Sequence, residues 1–63
     1  MTGTYHNTDG GHNKCWQLNK TREGYSAMWG KINGTMQGPK VYSIEQAEKV
    51  VREKLKKGYR LVA

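Results

Sequence analysis

Sixty-three residues bound the chain to one small domain, which buries only about 60% of its unfolded surface, and its single cysteine, Cys15, leaves it without an internal disulfide. Eleven Lys and Arg against five Asp and Glu give a net charge of +6, the balance of a polyanion binder, because neutralising phosphates releases counterions. The apolar runs are two or three residues long, too short to span a membrane, and the free thiol points to a reducing, cytoplasmic setting.

In chain order, residues 1–8 read as a flexible, polar, Gly-rich leader, frayed at least through Asn7 and lacking the basic start and apolar middle of a signal peptide. The domain proper is expected over 9–63. "NKCWQL" (13–18) reads as a first strand, ending at the polar connection "NKTREG" (19–24). "YSAMWGKI" (25–32) alternates Tyr25, Ala27 and Trp29 against Ser26 and Met28, with Gly30 marking a bulge. Asn33-Gly34 is the strongest two-residue hairpin signal, since both positions accept positive φ. The return strand starts as "TMQ", breaks at Gly38-Pro39 and resumes as "KVYS"; a proline there implies an edge or a loop.

A helix follows over about 44–57. Ser43 and Gln46 form a capping box, Ile44, Ala47, Val51 and Leu55 make the apolar stripe, and Val50 widens it. Glu45–Lys49, Glu48–Arg52 and Glu53–Lys57 stand at the favourable i,i+4 order on the other face, and Gly58 ends the helix. "YRLV" (59–62) is a closing strand. The sum is an α+β domain: a small antiparallel sheet of three to five strands packed on one C-terminal helix. Trp16 and Tyr42 are expected against that helix.

Chemistry-bearing clusters are sparse. His6, Asp9, His12 and Cys15 lack the second close pair that structural zinc wants, so no metal is expected. The glutamates have helix-face partners, Cys15 sits mid-strand, and the chain is too short for an enclosed pocket with supporting residues. Neither an enzyme nor a cofactor is expected. Six Trp and Tyr interleaved with Lys and Arg, in a chain without Phe, instead make a stacking platform with phosphate contacts.

The segments "NKCW" (13–16), "MWGKINGTMQG" (28–38), "KVYS" (40–43), "SIEQA" (43–47) and "EKLKKGY" (53–59) occur in the order of a known module. Together they resemble a WGR domain, found in DNA-break-sensing poly(ADP-ribose) polymerases and in short bacterial proteins. The resemblance covers about residues 9–62 and implies a sheet flanked by one helix, in a bacterial or phage protein. It implies that Trp29 packs on a nucleotide at a DNA end or nick, with Gly30 and Lys31 completing the motif. Asn13 and Lys14 match the start of the first strand, Gln37 matches the turn, and Lys57, Tyr59 and Arg60 lie at the helix end. Lys40 joins them as a phosphate contact. Lys31 stands where the family has arginine and loses the planar fork. Asn33 replaces a turn glycine, and Cys15 replaces a common aromatic, which thins the expected core. Polymerase activity is not implied by these residues. The expected function is non-enzymatic nucleic-acid binding, most simply of DNA ends or nicks, with little sequence specificity. The alternatives are a protein-interaction adaptor using the same basic surface and a binder of single-stranded RNA.

Overall fold

A computed structural model of the chain describes residues 1–63. The strands are β1 (Gly3–Asn7), β2 (Lys14–Lys20), β3 (Tyr25–Lys31), β4 (Met36–Tyr42) and β5 (Arg60–Leu61), with a short turn of 3-10 helix at Asp9–Gly11 and one helix, α1 (Ile44–Lys56). They form a single sheet in the order β4-β3-β2-β1-β5, antiparallel throughout. The expected α+β class holds, with five strands. No helix is long and apolar enough to cross a membrane.

Strand alternation fixes which side chains meet the helix. Trp16 and Leu18 of β2 lie opposite Trp29 and Ala27 of β3 and opposite Tyr5 and Gly3 of β1. With Ala47, Val51 and Tyr59 the buried members of this face make the core. Ala27 and Ala47 are wholly buried; their small size lets the helix come close. Trp16 is fully inside, and Tyr42 packs against the same cluster half-buried. Cys15 is buried but lies outside this cluster. It therefore does not thin the core.

The expected flexible leader is instead a strand. β1 pairs with β2 over all five of its residues and with β5 on its other side. Two anchors explain it. The Tyr5 ring lies 5.4 Å from that of Trp16, centroid to centroid, and Tyr5 is only 4% exposed. Asn7, also buried, accepts from the Asp9 backbone N–H at 3.1 Å and donates to the Lys57 carbonyl at 3.2 Å. A strand held by one ring and one amide leaves little trace in hydropathy. The folded unit therefore starts at β1, not at residue 9.

The helix begins as expected: Ser43 Oγ accepts from the Gln46 N–H, and Gln46 Oε1 accepts from the Ser43 N–H. Its end is one residue earlier than expected, with Lys57 as C-cap and Gly58 at φ 102° just beyond. There the Gly58 N–H donates to the Leu55 carbonyl and the Tyr59 N–H to the Lys54 carbonyl, the two bonds of a Schellman turn. The buried stripe is rotated from the expected one. Ala47 and Val51 are buried, Val50 packs beside them and Lys54 is half-buried, whereas Ile44 and Leu55 are about half exposed. The last turn of α1 meets broad rings, and the long aliphatic stem of Lys54 covers them while its charge stays near the surface.

The hairpin between β3 and β4 also differs. Its loop is residues 32–35, closed by a bond from the Gly34 N–H to the Lys31 carbonyl at 2.9 Å. Asn33 takes positive φ (61°), and Gly34 does not. Gly30 is in register with Met36; the irregularity lies between Ala27 and Trp29, where β4 fits two residues, Gly38 and Pro39, opposite Met28. The bulge thus belongs to β4, an edge strand, and of the edge and the loop that Pro39 implied the edge is the one found.

Candidate nucleic-acid interface

Trp29 and Lys31 both point to the helix side of β3, the ring opposite Trp16 and the lysine opposite Lys14. Two glycines shape this spot. A side chain at Gly30 would collide with the Thr35 carbonyl, so only glycine lets the 32–35 loop close against β3. At Gly38 (φ 110°) an added Cβ would come within 3.0 Å of the Trp29 ring. The ring thus leans on bare backbone. It remains 38% exposed, against 2% for Trp16.

Beside Trp29 an open groove of about 860 Å³ runs between the ends of β2 and β3 and the last turn of α1. It gathers Asn13, Lys14, Trp29, Gly30, Lys31, Gln37 and Tyr59, all expected site residues. Gly11, His12, Cys15, Thr35 and Lys54 also line it, and no acidic side chain does. Three expected residues lie elsewhere. Lys40 lines a separate groove of about 270 Å³ with Lys49 and Glu53, its ammonium 5.5 Å from the centre of the Tyr42 ring. Lys57 caps the helix and offers its carbonyl to Asn7. Arg60 pairs with His6, which by alternation puts it on the sheet face away from α1.

Lys54 is the residue that sequence reasoning missed. The Schellman turn carries the chain straight from Lys54 to Tyr59, and the Lys54 ammonium sits 5.0 Å from the Tyr59 ring centre and 5.7 Å from that of Trp16. Its position seven residues after Ala47 and three after Val51 would have placed it on the buried stripe, had a lysine been allowed there.

The electrostatics are one-sided. Lys14 and Lys31 are direct cross-strand partners, a like-charge arrangement that costs stability. Burial pushes the Lys54 pKa down from its ordinary value, and the charges of Lys57 and Lys14 push it further, with Glu53 opposing. The two rings favour the ammonium, so the cation is held in place but short of counter-charge. Burial raises the Tyr59 phenol, with a further push from Cys15, and burial raises the Cys15 thiol as well. Both stay neutral at ordinary pH. No cluster of three or more His, Cys, Asp or Glu side chains that would suit a metal forms.

Comparison of the chain with protein-family models, curated proteins and solved structures returned no match.

Proposed function

We propose that this chain is a non-enzymatic nucleic-acid-binding module of the WGR type that holds DNA ends or nicks. One observation carries the reading. Lys14, Lys31 and Lys54, from three different elements, surround a half-wet tryptophan in a groove lined by no carboxylate. The fold accepts a like-charge pair and a partly desolvated ammonium to keep them there, and a polyanion relieves both costs at once. Trp29 offers a ring surface to a base or sugar, and Asn13 and Gln37 bring neutral amides beside it. Phosphate contacts and stacking carry no base code, so sequence preference is weak.

The test is a backbone-amide NMR titration with a short nicked duplex at two salt concentrations. Three phosphate contacts give a slope of log affinity against log salt of roughly −2.7. The Trp29 indole N–H and the Lys14 and Lys31 amides should shift together. A slope near zero with an unmoved indole would refute the proposal.

A further inference from the structure

The cation cluster has a geometry that a polymeric strand does not require. Lys14 and Lys31 stand directly opposite each other, with Cβ atoms about 4.5–5.5 Å apart as in any such pair. Lys54 joins them from the helix, near enough for the Lys14 charge to act on it. Consecutive phosphates of a strand lie a whole nucleotide apart. Those of a di- or triphosphate share bridging oxygens, and three lysines lining one groove can converge on that denser charge. The groove is open, yet large enough for a small molecule. At about 860 Å³ it falls in the range of about 300–1,000 Å³ typical of small-molecule sites. Trp29 at its rim supplies a ring for a base, and the Asn13 and Gln37 amides supply hydrogen-bond partners for a base edge or ribose.

We infer that the groove also takes a free nucleoside di- or triphosphate, base on Trp29 and phosphates shared among Lys14, Lys31 and Lys54, in competition with nucleic acid. This rests on the nucleic-acid reading of the same groove and adds a soluble ligand that would displace the strand.

The test uses the full chain and a labelled nicked duplex, challenged in turn with adenosine mono-, di- and triphosphate and with inorganic tripolyphosphate. The triphosphate should displace the duplex and bind roughly tenfold or more tighter than the monophosphate, the strength of an added charge-assisted contact. Nucleotides should move the Trp29 indole resonance, and tripolyphosphate should not. Lys54→Met, which keeps the stem over the rings, should narrow the gap between mono- and triphosphate by about tenfold. Lys31→Gln, at an exposed position, should do the same and serves if the first variant fails to fold. Two results overturn the inference: a triphosphate that leaves both the bound duplex and Trp29 undisturbed, or tripolyphosphate displacing the duplex as well as the nucleotide does. In either case salt-dependent duplex binding still stands, and failure of the duplex itself to bind is seen separately in the salt titration.

Discussion

Lys54 concentrates the tension between folding and binding in a single side chain. Its pKa is lowered from about 10.5, so the folded protein holds this proton less tightly than the unfolded chain. The cost is fully present below the folded pKa, where both states are protonated. It is relieved as pH rises from the folded pKa toward about 10.5, because there the unfolded chain binds more protons. Comparing wild type with Lys54→Met isolates this term, since Tyr59 and Cys15 titrate in both. Urea melts across pH 7 to 10.5 should show the wild type gaining on the variant as pH rises. A difference that stays flat would mean the ammonium is not under strain. Trp29 shows how far a motif carries at this scale. Its tripeptide is legible in the sequence together with Asn13, Lys14, Gln37 and Tyr59, and the fold brings all of these to one groove. Lys54 is not legible there, because a lysine in a helix reads as solvated face, and only the packing of α1 on Trp16 and Tyr59 turns it inward. Lys40 lies on the return strand, and Lys57 and Arg60 lie at the helix end where the resemblance places them. Which way each faces depends on strand parity and helix phase, and their charge does not encode that.

Among the elements, α1 was the most readable and still slipped in phase. Its caps are local, written in residues three or four apart, so Ser43, Gln46 and Gly58 announced them. Its buried face is not local, because it depends on which residues best cover the sheet. Of the expected stripe, Ala47, Val50 and Val51 do face the sheet, and at its ends Lys54 takes the place of Ile44 and Leu55, covering the broad rings at the C-terminal end. The strand irregularity was misplaced for a related reason. Gly30 and Gly38 both invite a bulge, but the first is needed for the approach of the Thr35 carbonyl and the second for the extra residue of β4. The Schellman turn links this element to the groove, since it fixes Lys54 and Tyr59 as neighbours. Gly58→Ala meets a φ of 102° that side chains avoid and would bring a Cβ within 2.5 Å of Asp9 Oδ2. It should cost at least about 1 kcal/mol, measured by denaturant unfolding. Duplex affinity should fall with it, because the turn that sets Lys54 is distorted. Unchanged affinity would separate Lys54 from the binding surface.

For the molecule as a whole, the sheet is closed by a strand that composition concealed. In β1 one residue of the five, Tyr5, is a buried hydrophobic, and the others read as a tail. A domain of this size has only about 3–5 kcal/mol to lose. Deleting residues 1–7 removes the ring against Trp16, the amide that braces the helix end and the partner of β5. The truncated chain should show no cooperative melt and collapsed amide dispersion. A well-dispersed spectrum would restore the view of these residues as a leader.

The pairing of β1 with β5 has a topological consequence. The Thr4 N–H donates to the Ala63 carbonyl, and the Val62 N–H donates to the Thr4 carbonyl, so the two ends of the fold meet side by side. They meet at the Gly3–Leu18 end of the strands, and the groove opens at the other end, where Asn7 faces Lys14 and Lys14 faces Lys31. With both ends leaving together on the side away from the groove, the fold has the geometry for insertion into a surface loop of another protein, its cationic mouth facing outward.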